Sequence, residues 1–239
     1  MGLSFDQIER VLTVTAHPDD VDFGAAGTVA TMTDAGIDVT YCIVTDGDAG
    51  GFDPAVARSD IGGIRRQEQT MAAKQVGVND LIFLGYPDGY LESSLALRKD
   101  LARVIRRVRP QVVIVQSAIR NLDRIFAGHP DHLAAGEAAI CAIYPDAQNA
   151  FWYPELVAEG FEPWTVREAW IMGMGDGNHH IDITANVDRK IAALMSHESQ
   201  FTEPARIGTM VREWVAGTAK AVGLPEGSAA ESFRTVTIS

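Results

Sequence analysis

Residues 11–20 read VLTVTAHPDD. The first six are apolar or β-branched without interruption, the mark of a strand buried on both faces, and such strands belong to parallel sheets covered by helices on each side. The next four are a His, a Pro and two Asp. A strand of this kind therefore delivers three side chains capable of metal or proton chemistry directly at its carboxyl end.

Similar runs recur at VTYCIVT (39–45), LIFLGY (81–86) and VVIVQSA (112–118), with weaker ones at VREAWIMG (166–173) and HIDIT (180–184). Helical segments fall between them: 24–35 closed by Gly36, 64–76 closed by Gly77, and 95–108 stopped before Pro110. Strand, helix, strand at this spacing predicts right-handed βαβ units, hence a Rossmann-like three-layer α/β fold with a mainly parallel sheet. The stretch 147–164 has no clear period and reads as a long ordered loop or lid. Residues 205–221 read as a helix and FRTVTI (233–238) as a closing strand. With no repeat, linker or low-complexity tract, residues 1–239 read as one domain.

Twenty Lys and Arg against 32 Asp and Glu give a net charge of −12, spread along the chain, so there is no footprint for nucleic acid or an anionic membrane. No basic segment precedes the first apolar run, and no apolar stretch approaches membrane-spanning length, which leads to the expectation of a cytoplasmic protein. Cys42, in a strand, and Cys141, in a helix, read as two buried thiols in a reducing compartment.

The decisive feature is a second copy of the first motif: AHPDD at 16–20 is answered by GHPDH at 128–132. In a doubly wound sheet, ligands bind beyond the carboxyl ends of the strands where the order reverses. With strand order 3-2-1-4-5, one motif follows the first strand and the other the fourth, and the two face each other across that crevice. Pro18 and Pro130 suit the first turn of a helix or a tight turn. Spacing i, i+3 then brings His17 toward Asp20 and His129 toward His132. Two nitrogens and a carboxylate make the three-ligand set of catalytic zinc, which keeps one position for water; iron(II) accepts the same donors. Asp19 and His129 remain for proton transfer and for stabilising a developing oxyanion, with His129 oriented by Asp131 or another acceptor.

The sequence resembles the PIG-L/LmbE-like zinc-dependent N-deacetylases. The resemblance rests on AHPDD, TDGDAGG (45–51), IRRQE (64–68), LGYPDG (84–89), GHPDH and SHESQ (196–200). It implies His17, Asp20 and His132 as metal ligands, Asp19 as general base, His129 as electrostatic stabiliser or general acid, and Asp131 as the partner of His129. It also implies Arg65 and Asp88 as contacts to substrate hydroxyl or phosphate groups. The loop 119–127 and the segment 147–164 depart from the family's mycothiol and bacillithiol enzymes.

The expected activity is removal of an acetyl group from an N-acetylated amino sugar or related small glycoside, by an enzyme that either acts alone or assembles as a homo-oligomer. The rivals are a thiol S-conjugate amidase of the same family and a metal- and sugar-binding protein without turnover. A nucleotide-dependent oxidoreductase lacks its glycine fingerprint after the first strand.

Overall fold

A computed structural model describes residues 2–122, 125, 128–173 and 176–238. Four residues of the distinctive 119–127 loop, at 123, 124, 126 and 127, lie outside the described residues. The elements in chain order are β1 Arg10–Thr15, α1 Asp20–Asp34, β2 Asp38–Thr45, α2 Arg58–Gln75, β3 Asp80–Tyr86, α3 Leu95–Val108, β4 Val112–Gln116, α4 Pro130–Cys141, α5 Pro154–Ala158, β5 Glu168–Met172, β6 His179–Asp182, α6 Val187–Met195, α7 Pro204–Ala221 and β7 Ala230–Thr237. The sheet runs β3-β2-β1-β4-β5-β7-β6. Its first five strands pair in parallel, in the order anticipated, while β7 pairs antiparallel with both β5 and β6.

Alternation along β1 explains the two faces. Val11 packs with Val39, Tyr41, Ile43, Val112 and Ile114 under α1, α2 and α6. Leu12 and Val14 pack with Cys42, Val44, Val113 and Val115 under α3 and α4. Neighbouring residues of a strand point to opposite sides, so a strand covered on both sides must be apolar throughout, which is why the periodicity of a half-exposed strand is missing from 11–16.

Two helices begin earlier than the sequence suggests, α1 at Asp20 rather than 24 and α2 at Arg58 rather than 64. Their first turns carry Asp20, Asp22 and Asp60, and polar residues there hide a start from any apolar pattern. The closing strand likewise begins at Ala230, three residues before the predicted 233.

The segment 147–164 is fastened to α3 rather than poised as a lid. Arg106 donates to the carbonyls of Asp146, Ala147 and Asn149, and Trp164 Nε1 donates to Pro110 O at 2.7 Å. Pro110 precedes β4, so Trp164 seals the end of the sheet opposite the two HPD motifs. Cys42 is fully buried, as expected; Cys141 is partly exposed, because α4 shows one flank to solvent. Among the described residues no helix is long and apolar enough to cross a membrane.

Candidate active site

β1 stops at Thr15, and the chain is pinned as it leaves the sheet. Gln116 Oε1, at the end of β4, accepts from Ala16 N at 2.8 Å, while Thr45 N and Oγ1, at the end of β2, both donate to Ala16 O. His17 therefore emerges from a fixed point between three strand ends. Its backbone N–H donates to Asp20 Oδ2 at 2.7 Å, which ties the first residue of the turn to the first residue of α1.

The second motif is placed by a close approach of backbones. A Cβ on Gly136 would lie 2.5 Å from Gln116 O, so only glycine lets α4 sit this tightly against the end of β4. Pro130 occupies the first turn of α4, where its missing N–H costs nothing, and His129 is the N-cap, with Nδ1 accepting from Asp131 N at 3.2 Å.

Two imidazole nitrogens and the Asp20 carboxylate converge across the crevice. His17 Nδ1 lies 3.3 Å from Asp20 Oδ2 and 3.2 Å from His132 Nε2, and His132 Nε2 lies 3.0 Å from Asp20 Oδ1. A tetrahedral ion with bonds of about 2.0–2.1 Å holds its donors roughly 3.3–3.4 Å apart, so this triangle suits zinc or iron(II) with little movement. His17 is held from behind: its Nε2 faces Asp88 Oδ1 at 3.0 Å and Asp131 Oδ2 at 3.3 Å. That leaves Nδ1 for the front of the site, the usual way a carboxylate fixes the ring of a metal-binding His.

The charges follow this layout. Burial disfavours a positive His17, but Asp20, Asp131 and Asp88 outweigh it and push its pKa up to about 12. The carboxylates thus demand a positive charge at this ring, which a cation satisfies as well as a proton. For Asp20, burial is outweighed by His132 and His17, which hold it well below the usual carboxylate range. Asp88 and Asp131 are also lowered against the effect of burial, chiefly through their bonds to His17 and to backbone N–H groups.

Asp19 and His129 flank the triangle, and His129 is near enough that His17, His129 and His132 together offer nitrogens within 4.8 Å of one another. Asp19 is the N-cap of α1 in the left-handed region, φ 90°, and its Oδ2 accepts from Arg65 Nη2 at 2.9 Å. Burial and the neighbouring Asp20 raise its pKa to about 6, with Arg65 opposing. The exposed His129 ring stands 4.9 Å from that of His17 and 5.4 Å from that of His132, centroid to centroid. Its pKa is lowered by burial of part of the ring and by the positive His17. With Nδ1 accepting from the backbone, the neutral ring carries its proton on Nε2.

Three partners differ from expectation. The Asp131 carboxylate does not reach His129: it accepts from Gly89 N at 2.7 Å and Leu91 N at 3.3 Å and turns to His17, because it is buried on the inner side of α4 while His129 caps the outer end. Asp88, buried and engaged by His17 and Ala49 N, has no open face for a substrate hydroxyl. Arg65 is also buried, and spends its guanidinium on Asp19, Pro18 O and Gly47 O. The glycine turn 45–51 is the wall it leans on: a Cβ on Gly47 would lie 2.5 Å from Arg65 Nη1.

What the sequence concealed lies behind Asp19. Gln69 Oε1 accepts from Asp19 N at 2.8 Å, Gln69 Nε2 donates to Asp22 Oδ2 at 2.8 Å, and His197 Nε2 meets the same Asp22 oxygen at 2.8 Å. Gln69, Asp22 and His197 are completely buried. The available signal was Asp22, a carboxylate in a helix, DVDFGAAGTVA, that has no polar face to put it on.

The family model described as GlcNAc-PI de-N-acetylase, PIG-L, matches residues 12–143, from β1 to just past α4 and through both HPD turns. The chain belongs to the PIG-L family. Relatives extend the match beyond that region. A diacetylchitobiose deacetylase of Thermococcus kodakarensis is 32% identical over 83% of this chain and 73% of its own length. A 1D-myo-inositol 2-acetamido-2-deoxy-alpha-D-glucopyranoside deacetylase of Kineococcus radiotolerans is 29% identical over 82% of this chain and 70% of its own. The structure of an N,N'-diacetylchitobiose deacetylase from Pyrococcus horikoshii, in complex with its inhibitor MPG, superimposes with a TM-score of 0.89 at 27% identity, covering 98% of this chain and 85% of that one. Membership in PIG-L bears out the resemblance read from the motifs, and the fold class with it. Fold alone does not fix chemistry. GalB of Pseudomonas putida, a 4-carboxy-2-hydroxymuconate hydratase, shares the fold at a TM-score of 0.79 and 21% identity.

Proposed function

We propose that this protein is a metal-dependent amide hydrolase that removes the acetyl group from an N-acetylated amino sugar or a related small glycoside. The observation that carries the reading is the triangle of His17 Nδ1, Asp20 and His132 Nε2, with Asp19 and His129 on its rim. Zinc is the metal we assign, with iron(II) as the alternative. A divalent ion held by these three side chains supplies Lewis acidity, polarising the amide carbonyl and bringing the pKa of the attacking water to about 7.

The remaining work falls to the chain's own groups. Asp19, raised to about 6, is largely ionised at neutral pH and still basic enough to accept the water's proton as the new C–O bond forms. Arg65 keeps that carboxylate aimed. The neutral His129 ring donates its Nε2–H to the carbonyl oxygen as negative charge gathers there, a contribution of about 10²–10³ for one such donor. Its depressed pKa favours this role over that of proton donor. The proton held on Asp19 then passes to the amide nitrogen, the C–N bond breaks, and acetate and a free amine leave. Asp131 and Asp88 act through His17, whose ring they hold, rather than on substrate.

We read residues 1–239 as a single deacetylase domain working in the cytoplasm on a small N-acetylated sugar or conjugate, with neither nucleic acid nor membrane as partner. Assembly as a homo-oligomer is compatible with this site. A protein that merely bound metal and sugar would need the three ligands but not an ionisable Asp19 held by a buried Arg.

The test is acetate release from a panel of N-acetylglucosaminides and thiol conjugates, using metal-quantified protein with and without chelator. Chelator-sensitive release from a glycoside supports the reading. Release confined to thiol conjugates would move it to the amidase, and stoichiometric metal with no turnover on either class would move it to a binding protein.

A further inference from the structure

Asp19 is an Asp at φ 90°, a conformation that is strained for a non-glycine residue and needs partners to hold it. Arg65 holds the carboxylate and the preceding carbonyl, Pro18 O, at 2.5 Å. Neither bond fixes the peptide N–H of Asp19, and that group decides how the residue is turned at its Cα. Among the described residues, the N–H is fixed by Gln69 Oε1 alone.

Gln69 could serve this purpose in only one of its two amide orientations. Turned over, it would present NH₂ to the N–H of Asp19, donor against donor. The orientation is set from behind, where Nε2 donates to Asp22 Oδ2, an oxygen that also takes His197 Nε2. Gln69 belongs to α2, Asp22 to α1, and His197 follows α6, so three separately packed elements meet at this amide. With all three side chains completely buried, water cannot substitute for a lost partner without reorganising the core.

We propose that Gln69 is a positioning residue for the reaction: its amide, locked by the Asp22–His197 pair, holds Asp19 in the left-handed conformation in which the carboxylate faces the attacking water. The proposal rests on Asp19 being the general base. Its reach is narrow, because the completely buried Gln69 amide bonds to Asp19 N and Asp22.

The test compares Gln69→Leu, Gln69→Glu and the double variant Gln69→Glu/Asp22→Asn with the wild type and with Asp19→Ala, in the full-length zinc-loaded protein. Gln69→Leu leaves the Asp19 N–H without an acceptor; kcat should fall 10- to 100-fold, the usual loss for a supporting residue, with KM and bound zinc unchanged. Gln69→Glu keeps the acceptor but sets a carboxylate against Asp22, and should also lose kcat. Adding Asp22→Asn supplies an amide NH₂ to the carboxylate introduced at position 69, and His197 meets the new amide by moving its proton from Nε2 to Nδ1, a buried atom with no partner of its own. The double variant should therefore recover part of the kcat lost by Gln69→Glu.

A residue that merely stabilised the core would lower the melting temperature of all three variants without this recovery. The same kcat in Gln69→Leu as in wild type, with Asp19→Ala inactive, overturns the proposal and leaves Asp19 as the base. An active Asp19→Ala removes the base assignment itself. If Gln69→Leu fails to fold, the Gln69→Glu pair decides: no recovery in the double variant, with zinc bound, overturns the proposal.

Discussion

The two HPD turns share three letters and are built in opposite ways. In the second, Pro130 lies inside the first turn of α4 and the His129 ring itself is the cap, at an ordinary φ of −53°. In the first, the cap position belongs to Asp19 at φ 90°, the helix starts after the proline rather than on it, and the His17 ring is turned inward onto Asp88 and Asp131. The difference follows from what stands beside each turn. AHPDD sits between strand ends that fix Ala16, with Gln69 on the Asp19 N–H and the buried Arg65 on its carboxylate; GHPDH starts a helix packed on β4 and α3 whose N-cap, His129, is exposed. Under the proposed mechanism, the first turn supplies the base in a left-handed, enclosed position and the second the oxyanion donor on an exposed rim.

The contrast between the turns has its largest consequence at the metal. His132→Ala removes one corner of the triangle and should abolish both bound zinc, measured by elemental analysis, and acetate release. Asp19→Ala should retain stoichiometric zinc and lose kcat by about 10²–10⁴. Equal metal loss in both would mean that Asp19 is part of the binding set, and the division of labour between the turns would collapse.

A smaller effect separates the two jobs of His129. His129→Ala removes both cap and oxyanion donor, so kcat should fall about 10²–10³ and the helix end should cost about 1 kcal/mol of stability. His129→Asn keeps an oxygen for the Asp131 N–H and should restore the melting temperature, leaving kcat low. Full activity in His129→Asn would show that the ring is a cap and nothing more.

This asymmetry was only partly legible in the sequence. The strand order, the facing of the two motifs and the nearness of His17, Asp20 and His132 could be read because they follow from the succession of strands and helices and from i, i+3 spacing. The partners of Asp131, Asp88 and Arg65 could not. Their direction depends on burial against elements about 40 or more residues away, as in the bond from Gly89 N to Asp131 and that from Arg65 to Asp19. Resemblance put Arg65 and Asp88 beside a substrate; packing gives each of them a buried partner in the site's own framework. The aromatic residues of 147–164, Trp152, Tyr153 and Trp164, are hard to read for the opposite reason, since such side chains serve a sugar or a core equally well. Only the bond from Trp164 to Pro110 O, at the far end of the sheet, resolves that residue toward the core.

The smallest expected effect concerns the two thiols. Cys42 lies in β2 on the sheet face covered by α3, fully buried, and burial together with Asp100 pushes its pKa up to about 12. Cys141 ends α4, the helix that the open second turn begins; it is partly exposed, and burial and Glu137 raise its pKa less far. Raising a thiol's pKa depletes the thiolate, which is the reacting form, and Cys42 is shielded as well. Alkylation of the native protein at pH 8 should therefore label Cys141 alone, slowly and faster as pH rises, with no change in acetate release because neither thiol takes part. Labelling of Cys42 should require unfolding. Modification of Cys42 in active, folded protein would mean that the packing of α3 on the sheet opens on the timescale of the experiment, and the enclosure that the first turn shares with this core would not be rigid.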